Sequence, residues 1–242
     1  MKNSITKYIL YILLLHFSII LNAQNKFYLA GELEGGQLST SYNSISKLNT
    51  STPSVISSER NNMAIKVSIS GIVDLKNKIS AELGISQNIR FWNLEGQKLN
   101  NNLIVKHRLW YTSIFLGGWY ELPILSKSSK FQIYGGSRFS LDFLNFDSVN
   151  DSDGSDDNYV ISSTKQSKTT NITIIPEIGL KGTFKNGDQW LLGIKYYVPI
   201  NANLIEGTIE HYVNNNLNET ISYKSTGQVI AASFRYNFKW VK

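Results

Sequence analysis

The chain has no cysteine among its 242 residues and only three histidines. Without cysteine there are no disulfides and no thiol through which a lipid could be attached near an N-terminus. Charged residues make up 17% of the chain, and the formal net charge is +6. That balance is too mild and too evenly spread to argue for a nucleic-acid partner, and none is expected. Neither a G-x-S-x-G elbow nor an H-E-x-x-H helix occurs. After residue 23, no apolar run approaches the roughly 20 residues of a membrane-spanning helix.

What is present begins with Lys2 and Lys7, an apolar run from Tyr8 to Leu21, and Asn22-Ala23-Gln24. A charged start, a short apolar core and a small residue at the cleavage point make a secretory signal peptide, cut after Ala23. His16 and Ser18 interrupt a run already too short to span a bilayer, so an uncleaved anchor is the lesser reading. Residues 1–23 are thus read as a signal peptide and 24–242 as one all-β domain. Removal takes Lys2 and Lys7 but no acid, and the net charge falls from +6 to +4. An exported chain lacking a spanning helix is either soluble or a β-barrel.

The stretch Gly227–Trp240 bears on that choice. Ile230, Ala232, Phe234, Tyr236, Phe238 and Trp240 alternate with Ala231, Ser233, Arg235, Asn237 and Lys239. Period two puts the aromatics on one strand face and the charges on the other. Facing lipid outward and a polar lumen inward, such a strand suits a transmembrane barrel. Facing a core, it equally suits a soluble sandwich or lipocalin-like barrel.

The remaining chain separates these readings. Alternation marks seven further strands: 27–38, 61–75, 78–92, 103–122, 130–146, 171–184 and 189–200. Connections alternate too: 75–78, 123–130 and 185–188 are short, whereas 41–60, 93–102, 147–168 and 201–222 are long and polar. Membrane barrels have short periplasmic turns and long outer loops, with both ends of an even-stranded barrel returning to the periplasm. Aromatics gather at the strand ends: Phe27, Trp119, Tyr120, Phe131, Phe184, Trp190, Phe238 and Trp240 inside, Phe91, Trp92, Phe143 and Phe146 outside. Two interfacial belts are expected of a membrane barrel. The predicted fold is an all-β, eight-stranded antiparallel transmembrane barrel, an up-and-down meander. The register of the fourth strand is ambiguous, because its apolar residues occupy both parities, and a bulge near Gly117-Gly118 would switch faces.

The inward parity carries charge of both signs. Glu32, Glu34, Glu82, Asp142 and Glu177 are predicted to meet Lys66, Arg108, Arg138, Lys195 and Arg235 in a structural lumen network, with Arg90, Lys181 and Lys239 on the same parity. An eight-stranded barrel is just wide enough to be filled by side chains, and charges there need partners. A narrow ion path or small-ligand cavity is the competing reading. The tract Asp147–Asp157 has a loose calcium-loop composition at Asp151, Asp153, Gly154 and Asp156. It lacks the EF-hand spacing and closing glutamate, so a solvated loop is expected. His107 with Ser113 is a conceivable lipid-hydrolase pair at the outer rim, while His211 lies in the fourth loop.

The stretch WYELPIL at Trp119–Leu125, followed by FQIYGG at Phe131–Gly136, resembles the outer-membrane β-barrel domain of small "porin family" proteins. The resemblance implies a barrel in the cell outer membrane and supplies no catalytic residue, metal or cofactor. The expected role is structural or interactive rather than enzymatic. Expected partners are outer-membrane lipid, the barrel-assembly machinery acting on the C-terminal strand, and an unknown extracellular partner at the loops. A narrow channel or ligand carrier, and a lipid hydrolase, are the alternatives.

Overall fold

A computed structural model describes residues 26–38, 41–47, 56–59, 62–75, 78–98, 101–122, 131–145, 149–155, 157–166, 169–200 and 204–240. The proposed signal peptide lies outside the described residues. In chain order the strands are β1 (Lys26–Leu38), β2 (Ser41–Lys47), β3 (Ile56–Glu59), β4 (Met63–Asp74), β5 (Ile79–Lys98), β6 (Asn101–Leu122) and β7 (Phe131–Asn145). They continue as β8 (Val149–Ser155), β9 (Asn158–Gln166), β10 (Thr170–Thr183), β11 (Gln189–Pro199), β12 (Ile205–Val213), β13 (Asn216–Ser225) and β14 (Val229–Lys239).

Eight of these, β1, β4, β5, β6, β7, β10, β11 and β14, pair antiparallel in that order, and β14 returns to β1 to close the cylinder. Closure leaves no open sheet edge at bilayer depth, which hydrocarbon would not tolerate. The eight match the strands read from alternation, and the parities fall as the pattern requires. On β1, Tyr28, Ala30, Glu32 and Glu34 are buried while Leu29 and Leu33 are exposed. On β11 and β14, Ile194 (61%) and Ile230 (60%) project freely, whereas Lys195 and Arg235 are buried. So much outward apolar surface on every barrel strand is stable only against lipid.

Two features differ from the sequence expectation. The first is β6, which pairs with β5 without interruption from Ile79↔Tyr120 to Lys98↔Asn101 and does not switch faces near Gly117-Gly118. Leu109, Tyr111, Ser113, Phe115 and Trp119 point inward, and Trp110, Ile114, Leu116 and Tyr120 point outward. Trp119 therefore leaves the periplasmic belt and packs edge-on against Tyr134 at 6.5 Å, inside the barrel. Gly136 makes this possible, because a Cβ there would lie 2.6 Å from the Cβ of Trp119. Tyr120, Phe131, Phe184, Trp190, Tyr236, Phe238 and Trp240 form the inner belt, with Phe131 and Trp190 in edge contact at 5.7 Å. Phe91, Trp110 and Phe143 occupy the outer one. The side chains of Trp92 and Phe146 lie outside the described residues.

The second difference is in the connections. Residues 93–98 and 101–102 extend β5 and β6 instead of forming a loop, and β3 pairs with the extension of β5. The other long connections contribute to a five-stranded antiparallel sheet in the order β2-β13-β12-β9-β8. Its central hairpin turns at Asn214 and Asn215, both at positive φ (50° and 57°), as a two-residue type I′ turn requires. Val160, Ile205, Ile209 and Tyr223 of this sheet pack with Leu38, Leu109, Tyr111, Leu144, Ile175, Tyr197, Val229 and Ala231 of the barrel. The sheet is thus an apolar cap on the outer mouth of the lumen. Burial in this contact pushes the Tyr223 phenol up to about 12.

Candidate functional site

Alternation on β1, β4, β5, β7, β10, β11 and β14 sends a charged residue inward from each at mid-barrel height. Four carboxylates, Glu32, Glu34, Glu82 and Glu177, meet four cations, Lys66, Arg138, Lys195 and Arg235, all buried. Arg138 donates from Nε and Nη2 to the two oxygens of Glu82 at 2.8 and 3.2 Å, and from Nη1 to Glu32 at 2.6 Å. Arg235 donates to Glu32 at 3.0 and 3.1 Å and to Glu177 at 3.1 Å. Lys195 binds Glu32 at 2.6 Å and Glu34 at 2.7 Å. Formal charges cancel, and each arginine uses its planar fork on more than one carboxylate, which a dry lumen demands.

Neutral donors and rings complete the cluster. Ser70 donates to Glu82 at 2.6 Å, Ser68 to Glu32 at 3.2 Å, Tyr134 to Glu177 at 2.5 Å, and Tyr197 to Glu34. Arg138 lies over Phe115 and Arg235 over Trp119, each 4.8 Å from the ring centroid. Lys66 is held most loosely, 3.7 Å from Glu34 and 3.4 Å from the Tyr197 hydroxyl. Beside it a cavity of about 10 Å³ is lined by Glu34, Asn88, Arg90, Tyr111 and Tyr197, room for about one water.

Of the ten residues expected in this network, two are placed elsewhere. Asp142 faces inward but outside the ion cluster: it accepts from Ser113, Ser140 and Thr173, each at 2.7 Å, and from Asn171 at 3.4 Å. Arg108 is a correction. It sits on the outward parity of β6, exposed, over the rings of Trp110 (4.3 Å) and Phe91 (5.4 Å). The inward slots of β6 that sequence reasoning gave to polar residues are filled by Leu109 and Tyr111, which meet the cap. Lys239, also expected inside, is exposed at the inner rim. Lys181 instead closes that rim, 2.7 Å from Glu121 and 3.7 Å from Asp74. Arg90 donates to the Gly227 carbonyl at 2.9 Å, tying β5 to the start of β14.

The other candidates separate. His107 and Ser113 stand six residues apart on one strand, about 20 Å, beyond any proton transfer. Ser113 donates to Asp142 instead. His211 is buried in β12, with its Nδ1 3.5 Å from the Asn218 amide. Residues 149–155 of the acidic tract form β8, with Asp151 opposite Ser162 and Asp153 opposite Val160. An extended edge strand does not wrap oxygens around a cation as a loop does. Over 149–155 the tract is a strand, not the expected loop; the side chains of that strand and Asp156 lie outside the described residues, and Asp157 is exposed and accepts from the Asn215 amide at 3.2 Å. Among the described residues, no three histidine or acidic side chains gather as metal ligands would.

A closed eight-stranded cylinder with an apolar exterior, two aromatic belts and a charge-filled lumen defines a barrel of the outer membrane. Residues 10–204 match the outer membrane protein beta-barrel domain family, and the chain belongs to it. The outer membrane protein OprG from Pseudomonas aeruginosa is similar in structure, with a TM-score of 0.51 at 15% identity over 88% of this chain and 96% of that one. The transport unit of the autotransporter AIDA-I from Escherichia coli covers 91% of each chain at 13% identity and a TM-score of 0.30. The beta domain of the Bordetella autotransporter BrkA covers 88% of this chain and 99% of its own at 11% identity and 0.29. At those scores the two autotransporter units bear on no argument. No curated protein matches the chain in sequence.

Proposed function

We propose that the protein is a closed barrel that anchors a folded extracellular sheet, serving a structural or surface-interaction role rather than transport. The observation that carries this reading is the double obstruction of the lumen. The network of four acids and four bases fills its middle, and the sheet of β2, β13, β12, β9 and β8 packs apolar side chains into its mouth. The barrel then rests in lipid, enters the membrane through the assembly machinery acting on β14, and offers the outer surface of the cap to an extracellular partner.

Planar-bilayer recording tests it. The folded protein should add no conductance steps at 1 M salt, and steady single-channel currents would favour the narrow-channel reading instead. A hydrolase reading lost its nucleophile–base pair with the separation of His107 and Ser113; a lipid profile altered by the wild-type barrel but not by a His107→Ala variant would restore it.

A further inference from the structure

Among the barrel residues whose side chains are described, Arg108 is the one charged side chain on the outward parity. Its depth follows from the strand that carries it. Ten residue steps along β6 separate Tyr120 in the inner belt from Trp110 in the outer one. At about 3.4 Å per residue and a tilt of about 40°, they span about 25 Å, the height of the apolar band of such barrels. Arg108 stands two residues further out than Trp110 and opposite Phe91, at the outer edge of the aromatic belt, where lipid phosphates lie. A cation deeper on this face would cost about 2–4 kcal/mol, and at the interface almost nothing.

The side chain is also held for a ligand. Its guanidinium stacks on Trp110 at 4.3 Å and faces Phe91, its cross-strand partner, at 5.4 Å. Among the described residues no carboxylate lies within 4.0 Å of the guanidinium. Stacking restricts the guanidinium, and a planar fork held in this way suits bidentate binding of a phosphate. Below it on the same face, Thr112 donates to Gln87 at 3.0 Å, a polar pair just beneath the belt at the depth of acyl linkages.

We propose that Arg108, braced by Trp110 and Phe91 at the outer edge of the lipid-facing surface, binds the phosphate of an outer-leaflet lipid headgroup. The site rests on the membrane placement of this face and is independent of whether the lumen is closed.

Native mass spectrometry of the folded barrel in dodecyl maltoside tests it, with dimyristoyl phosphatidic acid and dimyristoylglycerol as probes. The wild-type barrel should retain the phosphatidic acid and not the uncharged diacylglycerol. Arg108→Gln should reduce retention about tenfold, and Arg108→Lys, which keeps charge but not the planar fork, by a smaller factor. Lys239→Gln, removing an exposed cation at the opposite rim, should leave retention unchanged. Equal retention by wild type and Arg108→Gln, equal loss with Lys239→Gln, or displacement of the lipid by millimolar inorganic phosphate would each overturn the proposal. Heat-modifiable migration of the same samples reports folding separately. A wild-type barrel that fails to fold in detergent or lipid would count against the membrane architecture, whereas folded variants without a lipid difference would count against this site alone.

Discussion

Glu32 sits where the ion network is most densely connected, and its neutralisation is the sharpest probe of the lumen. Its carboxylate accepts from Arg138 at 2.6 Å, from Arg235 at 3.0 and 3.1 Å, from Lys195 at 2.6 Å and from Ser68 at 3.2 Å. Glu32→Gln keeps the shape but leaves four cations facing three carboxylates, and it turns an amide N–H toward guanidinium groups. Removing one partner of a buried ion cluster costs about 3–5 kcal/mol, because the charge left behind has neither water nor a counter-ion. With about 2 kcal/mol lost per molar urea, the unfolding midpoint in lipid vesicles should fall by about 2 M. Adding Lys195→Met restores neutrality and should recover about half the loss. Lys66→Met is the graded comparison: that ammonium has one long ion pair, 3.7 Å from Glu34, so its replacement should cost less than Glu32→Gln. Tryptophan fluorescence during urea unfolding gives all four numbers. A Glu32→Gln barrel within 1 kcal/mol of wild type, or a double variant no better than the single, would refute the claim that charge balance holds the lumen together.

Two further perturbations address the ends of the barrel. In the periplasmic turn after β10, the Lys239 backbone N–H, with help from the Tyr236 hydroxyl and the Asn186 amide, holds the Asp188 carboxyl below its usual range. A lowered folded value stabilises the native state above the ordinary aspartate pKa of about 3.9 and loses that contribution as pH falls through the folded value. Wild type and Asp188→Asn should therefore differ in melting temperature at pH 6 and converge in acid; a gap that widens on acidification would reverse the sign. At the outer end, Gly227 adopts φ +76°, and a Cβ there would collide with Leu204 and the Arg90 guanidinium. Gly227→Ala should cost about 1–3 kcal/mol of stability and detach Arg90 from its carbonyl, visible as a lowered urea midpoint.

The barrel strands were legible because lipid outside and charge inside impose opposite chemistries on the two parities. Where the lumen stops being polar, the signal fails. On β6 the inward residues Leu109, Tyr111, Phe115 and Trp119 are apolar: two touch the cap, and two lie flat beneath Arg138 and Arg235. With both parities apolar, alternation could not assign the faces, and Arg108 was given to the wrong one. The outer connections were missed for a related reason. Their strands are polar on the solvent side and short, yet Ile205 and Ile209 alternate before the Asn214-Asn215 turn, a hairpin pattern that was available in the sequence.

The same residues explain how the lumen holds eight buried charges. Ions in a narrow cylinder would be hydrated if water reached them. Here Ile205 and Tyr223 of the cap pack on Leu109, Tyr111 and Tyr197 of the barrel at one end, and Tyr28, Ile72, Trp119, Tyr134 and Leu191 form an apolar layer toward the other. Between these two layers, screening by water is lost, so each carboxylate must be neutralised by geometry. That is why the arginines fork across several acids and why Tyr134 and Tyr197 spend their hydroxyls on Glu177 and Glu34. The apolar parity of β6, which obscured the sequence, is therefore a requirement of the ion cluster and not an exception to it. A barrel that placed serines at Phe115 and Trp119 would admit water to the arginines and weaken every pair it reached.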